Sequence, residues 1–347
     1  MRAVVFEGYG ERAEVRDVPD PRPEPHGVIV RVESTGLCRS DWHGWQGHDP
    51  GITLPHVPGH ELAGVVEETG RDVTRWRKGD RVTVPFVCAC GTCPACQAGD
   101  HQVCEHQTQP GFTHWGSFAQ YAALNHADVN LVALPDDLTY TTAASFGCRF
   151  ATAFRAVVQQ GRAAPGEWVA VHGCGGVGLS AVMIAAATGA RVLAVDISPQ
   201  ALRLAKEFGA TECVDATTVD DTAAHVRDLT DGGAHLSLDA LGSPATCAAS
   251  VNSLRRRGRH LQVGLLPSDT GTTPVPMARA IALELTLIGS HGMAAHTYPR
   301  MLEAVRAGVL RPDRLVTSTI GLDDAPGALE AMGTAPGAGV TVIEPWR

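Results

Sequence analysis

The sequence predicts an α/β protein with two domains, one of which contains a parallel β-sheet covered by helices on both faces. The chain has 347 residues, and domains usually contain about 100–200 residues each. Residues 1–149 hold short valine and isoleucine runs separated by glycine and proline, whereas from Trp168 apolar strands alternate with helical stretches. Such alternation is typical of a parallel sheet buried on both faces. We therefore predict one domain over residues 1–149 and a second over 150–290, with residues 291–347 returning to the first.

The elements of each domain follow from local patterns. The first domain has no long helical pattern, and short strands are expected in "GVIVRVEST", "ELAGVVEETG" and "DRVTVPFV". In the second domain we predict strands in "EWVAVHG", "RVLAVDI", "ECVDA", "HLSLDAL", "HLQVGLL" and "LTLIGS". Helices are predicted in "VGLSAVMIAAATGA", in "SPQALRLAKEFGA", around Cys247–Leu254 and, after the second domain, in "TYPRMLEAVRAGVL". This order predicts a doubly wound parallel sheet.

The composition disfavours several classes of function. The formal net charge of −9 argues against binding to nucleic acid or to anionic membranes. The densest basic run, "RRRGR" at residues 255–259, is interpreted as a solvated turn between a helix and a strand. The N-terminal "MRAVVFEGYG" lacks the apolar segment of a signal peptide, and no apolar run approaches the ~18 residues of a membrane helix. We expect a soluble cytoplasmic protein whose ten cysteines serve metal binding or catalysis rather than disulfides.

A glycine-rich turn follows the first predicted strand of the second domain and precedes a predicted helix. It reads Gly173-Cys-Gly175-Gly176-Val177-Gly178. In this context Gly173 permits a tight turn, Gly175 lets the backbone approach a pyrophosphate, and Gly178 lets the helix and the strand pack closely. The helix N-terminus offers unpaired N–H groups and positive potential to the phosphates. The motif therefore predicts a dinucleotide site, the alternative being a turn that binds no ligand.

Asp196 ends the next predicted strand, 18 residues after Gly178. A carboxylate at this point can accept hydrogen bonds from both ribose hydroxyls and would repel a 2′-phosphate. The sequence thus favours NAD over NADP. The alternative role for Asp196 is a simple helix cap.

Four cysteines, Cys90, Cys93, Cys96 and Cys104, lie within fifteen residues of the first domain. The spacing C-x2-C-x2-C-x7-C is typical of a tetrahedral Zn²⁺ site. Four thiolates leave no open position for water or substrate, so we predict that this zinc stabilises a lobe with little core of its own. Cys88 lies outside the spacing and is not assigned.

A catalytic zinc requires three protein ligands and one open position. The candidate ligands are Cys38 in "GLCRSDWHG", His60 with Glu61 in "PGHELAG", and Cys148 in "SFGCRFATAF". A lone cysteine is usually a small buried hydrophobe. Here the candidates occur together with a dinucleotide motif and a four-cysteine segment, which favours a second metal site.

Together these motifs resemble those of the zinc-dependent medium-chain alcohol dehydrogenases. The "GHE" run, the four-cysteine segment, the cysteine near the domain junction and "GCGGVG" carry the resemblance, which covers almost the whole chain. It implies a GroES-like β-barrel catalytic domain, a Rossmann coenzyme domain and a C-terminal return to the first domain.

The resemblance also implies roles for single residues around the catalytic zinc. Cys38, His60 and Cys148 correspond to the zinc ligands, and Glu61 corresponds to an alternative or transient ligand. Asp41 corresponds to the carboxylate that orients the His60 imidazole. Ser40 and His43 correspond to a proton relay from the alcohol to solvent, although His43 could also be an ordinary surface histidine.

Further correspondences concern the cofactor, the substrate pocket and the assembly. Arg39 corresponds to an arginine that meets the cofactor pyrophosphate. Phe86, Phe112 and Trp115 are expected either to line an apolar pocket or to pack in the core. The short segment before Cys148 resembles that of tetrameric bacterial members, so we expect a homotetramer. The positions that resemble nicotinamide contacts are Thr152, Val177, Gly264 and Leu265.

The expected activity is zinc-dependent hydride transfer between NAD(H) and an alcohol, aldehyde or ketone. Polyol, threonine and formaldehyde dehydrogenases on the same scaffold are alternatives, although many polyol enzymes carry an acid where this chain has Cys148. A further alternative is a non-catalytic NAD-binding or redox-sensing protein, which would have no reason to keep Ser40, His43 and an open zinc site. The zinc content would distinguish the enzyme from the non-catalytic protein, because the enzyme would hold about two zinc ions per chain and a scaffold about one.

Overall fold

The computed structural model describes residues 1–266, 272–334 and 337–347. Among them the chain divides into two compact units, one formed by Met1–Ala151, Gly292–Gly308 and Pro312–Arg347, the other by Thr152–His291 and Val309–Arg311. The strands are β1 (Arg2–Val5), β2 (Glu14–Asp17), β3 (Val28–Leu37), β4 (Leu62–Thr69), β5 (Arg81–Thr83), β6 (Tyr121–Leu124), β7 (Val132–Ala133), β8 (Trp168–His172), β9 (Arg191–Asp196), β10 (Glu212–Asp215), β11 (Ala234–Asp239), β12 (Leu254–Gln262), β13 (Thr286–Gly289), β14 (Val316–Gly321) and β15 (Val340–Glu344).

The helices are short in the first unit and longer in the second. Those of the second unit include Gly176–Ala187, Pro199–Glu207, Thr222–Leu229, Pro244–Asn252 and Met277–Ala282. Those of the first unit include Arg39–Trp45, Pro94–Gln97, Ala127–Asn130, Tyr140–Ala144, Tyr298–Arg306 and Ala325–Ala331, together with the π-helical turn Phe146–Phe150. The segment Ala151–Phe154 is α-helical and is followed by a second π-helical segment, Arg155–Gln160. Single 3₁₀ turns occupy His101–Val103, Ala295–Thr297, Pro312–Leu315 and Leu322–Asp324.

The second unit is built on a six-stranded sheet with the order β10-β9-β8-β11-β12-β13. Each neighbouring pair is parallel, which confirms the predicted doubly wound architecture. Strands β8, β9 and β11 are almost wholly buried, because helices cover both faces of such a sheet. The strand order reverses between β8 and β11, and in open parallel sheets ligands bind beyond the carboxyl ends of the strands at this point.

The interpretation of "RRRGR" as a turn is wrong, because residues 255–259 lie inside β12. Arg257 adopts a φ of +58°, which interrupts an otherwise extended strand. Two of the four arginines in this run pair with carboxylates. Arg257 contacts Glu284 at 2.9 Å, and Arg259 contacts Glu167 at 2.6 Å.

The first unit is organised around the ten-residue strand β3, which lies at the centre of a sheet with the order β14-β15-β3-β4-β5-β7. β3 is antiparallel to β4 and to β15, and β6 also pairs with it. Valines of β3, β4 and β5 form a buried core with Leu62 and Leu124. The strand β15 therefore brings the C-terminal part of the chain to the edge of β3, whose last residue directly precedes Cys38.

No helix in the described ranges 1–266, 272–334 and 337–347 combines the length and the apolar character needed to cross a membrane.

Candidate active site

The four cysteines between Cys90 and Cys104 lie together in the first unit. Sγ of Cys93 is 3.4 Å from Sγ of Cys96 and 3.8 Å from Sγ of Cys104. Sγ of Cys90 is 4.0 Å from Sγ of Cys96. A tetrahedral zinc ion with Zn–S bonds of about 2.3 Å requires its sulfurs to be about 3.8 Å apart. The four thiols are buried, and their arrangement fits the closed zinc site that the spacing predicts.

Hydrogen bonds lower the pKa values of Cys90 and Cys93, whereas burial raises those of Cys96 and Cys104. Sγ of Cys90 accepts from the backbone N–H groups of Thr92 and Cys93 at 3.4 Å each, and the N–H of His106 donates to Sγ of Cys104 at 3.3 Å. The hydrogen bond from the Thr92 hydroxyl lowers the pKa of Cys90 to about 6. Because thiolates are the form that binds metal, Cys90 and Cys93 are the two thiols most readily available to zinc.

Cys88 does not take part in this cluster. Its side chain packs in the valine-rich core of the first unit, and burial raises the pKa of the thiol to about 12. It is therefore an inert core residue.

A second cluster contains the four predicted ligands of a catalytic metal. One ligand atom from each of Cys38, His60, Glu61 and Cys148 lies within 4.8 Å of the others. Cys38, His60 and Glu61 are buried, and Cys148 is half-buried. Two thiolates, an imidazole and a carboxylate are the donor types that zinc prefers.

Three separate segments bring these ligands together. Cys38 lies between β3 and the helix Arg39–Trp45, and His60 and Glu61 directly precede β4, which pairs with β3. Cys148 lies in the π-helical turn Phe146–Phe150, and such turns often occur at functional sites. Gly147 makes this approach possible, because a Cβ there would lie 3.0 Å from the Val84 carbonyl oxygen and 3.3 Å from Cα of Glu61.

The His60 imidazole is oriented by Asp41. Nδ1 of His60 lies 2.8 Å from Oδ1 of Asp41, and since a carboxylate can only accept, Nδ1 carries the proton. Nε2 is buried and has no hydrogen-bond partner. Because Nδ1 is committed to Asp41, Nε2 is the nitrogen available to a metal beside Cys38 and Cys148, so the site fits the zinc ion that the resemblance implies.

The thiol of Cys38 is also prepared for metal binding. A hydrogen bond from Cys148, aided by the His60 imidazole and by the positive charge of Arg149, lowers the pKa of the Cys38 thiol well below its ordinary value, although burial opposes this. The site therefore favours a thiolate at Cys38 before any metal arrives.

The predicted relay residues lie on the short helix after Cys38. Ser40 and His43 are three positions apart in Arg39–Trp45, and both are half-buried, so they share one face of the helix. Nδ1 of His43 lies 2.9 Å from Nδ1 of His48. Burial, with smaller effects of Arg39 and His48, lowers the pKa of His43, which keeps the ring neutral and able to accept a proton at neutral pH.

Arg39, the predicted pyrophosphate ligand, is exposed at the first position of this helix. Its guanidinium lies over the Trp42 ring, 4.1 Å from the ring centroid, and hydrogen bonds to the Met332 carbonyl oxygen. These contacts hold the group at the surface of the first unit.

Two of the three predicted pocket aromatics contact the zinc site. The Phe112 ring centroid is 5.2 Å from that of His60, and the Phe86 centroid is 6.2 Å away. Trp115 does not join them. It packs against the cluster that contains Ala3 and Val57, and its indole N–H donates to the Pro55 carbonyl oxygen at 3.0 Å, which is the packing role that was the alternative to the pocket.

The glycine turn has the geometry of a phosphate-binding loop. Gly173 has a φ of +90°, which is unfavourable for other residues. A Cβ on Gly178 would collide with the Gly173 carbonyl oxygen, whereas a Cβ on Gly175 would meet no atom within 4 Å. Gly175 is thus not required by packing, and the space beside it can admit a pyrophosphate at the start of the helix Gly176–Ala187.

Asp196 and Thr152 are the other polar groups of the predicted cofactor site. Oδ2 of Asp196 accepts from the Cys174 N–H at 2.5 Å, and Oδ1 accepts from the Ser198 N–H at 2.8 Å, so the carboxylate connects β9 to the glycine turn. Oγ1 of Thr152 is buried and has no hydrogen-bond partner, which marks it as a group available to a ligand. Val177 lies in the first turn of the helix that follows the glycine turn.

Gly264 and Leu265 follow the carboxyl end of β12. The N–H of Gly264 donates to the Asp239 carbonyl oxygen at 2.9 Å, and its carbonyl oxygen accepts from Nε2 of Gln262 at 2.8 Å. The Leu265 side chain is 64% exposed.

Arg149, to which the sequence patterns assign no role, lies beside the predicted ligands of the catalytic zinc. Its backbone N–H and Nε donate to Oε1 of Glu61 at 2.9 and 3.0 Å, and its second terminal nitrogen pairs with Oε2. Its other terminal nitrogen donates to the Leu37 carbonyl oxygen at 3.0 Å. The available signal was that Arg149 is the only charged residue in the apolar segment "SFGCRFATAF".

Comparison with known protein families assigns both parts of the chain. Residues 24–136 match the alcohol dehydrogenase GroES-like domain, and residues 176–307 match the zinc-binding dehydrogenase family. The first match confirms the expected GroES-like fold of the N-terminal part.

Individual relatives agree with these matches. The chain is 36% identical over 294 residues to an alcohol dehydrogenase of Geobacillus stearothermophilus, covering 84% of each protein. Its structure is similar to that of an alcohol dehydrogenase from Thermus sp. ATN1, with a TM-score of 0.90, 34% identity and 99% of each chain covered. It is also similar to a putative zinc-binding dehydrogenase from Sinorhizobium meliloti 1021 bound to NADP, with a TM-score of 0.88, 29% identity and 99% of each chain covered.

Proposed function

Because this chain belongs to the zinc-dependent medium-chain alcohol dehydrogenase family and is an oxidoreductase acting on alcohols, we propose that it transfers a hydride between NAD(H) and an alcohol, aldehyde or ketone. The observation that carries the proposal is the buried, unpartnered Nε2 of His60 beside Cys38 and Cys148. Bound zinc supplies Lewis-acid polarisation of the alcohol or carbonyl oxygen, and the bound nicotinamide supplies the hydride acceptor or donor.

Cys38, His60 and Cys148 are the proposed zinc ligands. Two thiolates and a neutral imidazole balance the charge of the ion and leave one position open for substrate. Asp41 holds the His60 ring so that Nε2 faces the two sulfurs. Phe86 and Phe112 lie against the His60 ring, which favours an apolar substrate and excludes water from the metal.

Ser40 and His43 are the proposed proton path. Ser40 Oγ would receive the proton of the alcohol, and His43, on the same face of the helix Arg39–Trp45, would pass it to solvent. The lowered pKa of His43 suits this role, because a neutral imidazole is present near pH 7 to accept the proton.

NAD is the proposed cofactor. The Asp196 carboxylate at the end of β9 supports NAD, because it would repel a 2′-phosphate. Because one similar structure contains NADP, the preference between NAD and NADP has to be measured. Gly173, Gly175, Gly176 and Gly178 would receive the pyrophosphate with Arg39, while the proposed contacts of the nicotinamide are Thr152, Val177, Gly264 and Leu265.

The roles of the two domains, the oligomeric state and the cellular location are also proposals. Residues 1–149 with 291–347 form the proposed catalytic domain, and residues 150–290 form the coenzyme domain, which the two compact units support. Met277 and Ile281 are 52% and 75% exposed on one helix, which supports self-association and hence the proposed homotetramer. Ten unpaired cysteines support a reducing, cytoplasmic location.

The first experiment measures oxidation of NADH and of NADPH with a panel of aldehydes, alkyl ketones and aryl ketones. Cys148→Ala serves as the matched variant and is expected to abolish turnover while NADH binding remains. Consumption of NADH by the wild-type protein supports the proposal. Equal turnover in Cys148→Ala would refute the ligand assignment, and a preference for NADPH would refute the cofactor assignment.

A further inference from the structure

We propose that Arg149 is a positioning residue that joins the three ligand-bearing segments of the zinc site and holds Glu61 away from the metal. This inference rests on the proposed ligands Cys38, His60 and Cys148. It goes further, because it gives Glu61 a fixed structural partner in place of the role of alternative ligand that the resemblance implies.

The contacts of Arg149 reach a neighbour of each proposed ligand. Arg149 itself follows Cys148, its guanidinium donates to the carbonyl oxygen of Leu37, which precedes Cys38, and it pairs with Glu61, which follows His60. One side chain thus connects three segments that are far apart in the sequence. A planar guanidinium suits this task because its donors point in fixed directions.

The Glu61 carboxylate has both oxygens committed to Arg149. Oε1 accepts two hydrogen bonds, from the backbone N–H and from Nε, and Oε2 accepts from a terminal nitrogen. A Cβ at Gly36 would collide with Oε2 and with the guanidinium, so the pair is enclosed on that side. To bind the metal, Glu61 would have to break these bonds without access to water, because both side chains are buried.

The energetics favour a role in geometry over a role in stability. Burying an ion pair costs desolvation free energy, and replacing a whole pair by apolar residues is often neutral. Fully hydrogen-bonded buried pairs, in contrast, specify one arrangement of the surrounding groups. Although burial opposes its charge, the adjacent Glu61 carboxylate raises the pKa of Arg149 above its ordinary value, so the arginine remains a cation.

The restraint by Arg149 affects the site both before and after zinc binds. With Cys38, His60 and Cys148 already positioned, zinc binding would not have to order three chain segments. With Glu61 restrained, the fourth coordination position of the zinc would stay open to substrate. The ion pair also adds no net charge, so the balance between zinc and its two thiolates is preserved.

The experiment compares zinc retention in the wild-type protein and in Arg149→Met. Purified zinc-loaded protein is mixed with a chelating dye, and the release of each zinc is followed over time. We expect release of the catalytic zinc to accelerate by about 10–100-fold, the usual effect of removing a group that supports metal ligands. The four-cysteine zinc in the same molecule is the internal control and should leave at the wild-type rate. Equal release of the catalytic zinc from both proteins would overturn the inference.

A second readout reports the position of Glu61. Cobalt(II) substituted for the catalytic zinc gives intense visible bands when four-coordinate and weaker bands when a fifth ligand joins. The cobalt in the wild type should have four ligands or fewer and give intense bands. Arg149→Met should give the weaker bands expected when Glu61 joins as an added ligand. Adding Glu61→Gln to Arg149→Met should restore the intense bands. Identical spectra in the wild type and Arg149→Met would show that Arg149 does not restrain Glu61.

Three further variants separate the possible failures. Arg81→Met removes another guanidinium that bonds backbone carbonyl oxygens in the first unit and should leave both release rates unchanged. Arg149→Met leaves the Glu61 carboxylate buried without its partner. The double variant Glu61→Leu/Arg149→Leu removes both charges, so it tests the loss of the connection between segments without an unpaired buried charge. If Cys148→Ser retains both zinc ions, the proposed ligand set is wrong, whatever Arg149 does.

Discussion

Asp41 binds three groups of the zinc site at once, and its closest partner is His60, whose Nδ1 lies 2.8 Å from Oδ1. The same carboxylate accepts from the N–H of Gly59 at 3.1 Å and from the N–H of Cys38 at 2.9 Å. It is buried, and so is His60. One aspartate therefore fixes the tautomer of one proposed ligand and the backbone next to another.

Asp41→Asn should weaken zinc binding at the catalytic site. The amide can still accept hydrogen bonds, but it cannot complement the charge of the imidazole as a carboxylate does. We expect a loss of affinity of about 10–100-fold, measured by competition with a chelator at constant pH. Wild-type affinity in this variant would mean that Asp41 only caps the helix Arg39–Trp45.

His43→Gln should slow alcohol oxidation most strongly at low pH. Glutamine cannot accept the proton, and solvent accepts it least readily when protons are abundant. We expect a decrease of roughly tenfold or more below neutral pH, at the lower end of the effects of general acid–base groups. The rate of alcohol oxidation against pH measures this, with His225→Gln as the control histidine on another helix. A profile that coincides with that of the wild type would exclude His43 from the proton path.

Asp196→Ser should shift the cofactor preference toward NADP. Serine removes the negative charge that would repel a 2′-phosphate, and it can still accept one hydrogen bond from the glycine turn. The ratio of kcat/KM for NAD to that for NADP should fall by about tenfold, equivalent to about 1.4 kcal/mol. Asp215→Ser is the matched control, because Asp215 ends the adjacent strand β10 and bonds its own following loop. An unchanged ratio would mean that Asp196 does not select the cofactor and only accepts hydrogen bonds from Cys174 and Ser198.

Cys93→Ser should remove the closed zinc and loosen the lobe around it. The lobe packs mainly on its own four thiols, with Ala89, Ala95 and Val129 as the nearby apolar residues, so little else would hold it. We expect one zinc fewer per chain and faster proteolysis between residues 90 and 104, measured by metal analysis and mass spectrometry. Cys213→Ser, in the second unit, is the control, and unchanged zinc content in Cys93→Ser would contradict the assignment.

His172 should make the folded protein less stable as the pH falls. Burial lowers its pKa from 6.5 to about 4, with Asp239 opposing the shift and His260 adding to it. Between these values the unfolded chain binds a proton that the folded chain does not, so stability is lost as the pH drops through this window. The full loss is about 3 kcal/mol.

The measurement for His172 is the thermal midpoint at pH 7 and pH 5. The drop between the two values should be smaller in His172→Gln than in the wild type, because glutamine binds no proton in either state. An equal drop in both proteins would show that other groups carry the acid sensitivity. His225→Gln is again the matched control.

The sequence was sufficient to predict the parallel sheet and the grouping of the four cysteines between Cys90 and Cys104, because both depend on local patterns. The alternation of strand and helix after Trp168 defines the parallel sheet, and the cysteine spacing brings the four thiols of the lobe together without knowledge of the rest of the chain. The position of each glycine in the turn after β8 likewise follows from the strand–turn–helix pattern.

The features that the sequence did not predict are contacts between distant segments. Trp115 packs against residues near the N-terminus, and nothing in "GFTHWGSF" indicates that partner. Arg149 meets Glu61, 88 positions away in the chain, although its place in an apolar segment suggested burial. Arg259, at the end of "RRRGR", pairs with Leu236 of β11 and Thr286 of β13, and a run of charges in a single sequence does not reveal these neighbours.

The arrangement of β15 beside β3 bears on the order of events during biosynthesis. Thr341 lies opposite Leu37 in this pair, so the strand that leads to Cys38 receives its neighbour only after residues 152–291 have left the ribosome. Those residues form a compact unit of their own, and such units generally fold as they emerge. The nascent chain would therefore complete its second unit first, and the open edge of β3 would await β15 before the sheet of the first unit could close.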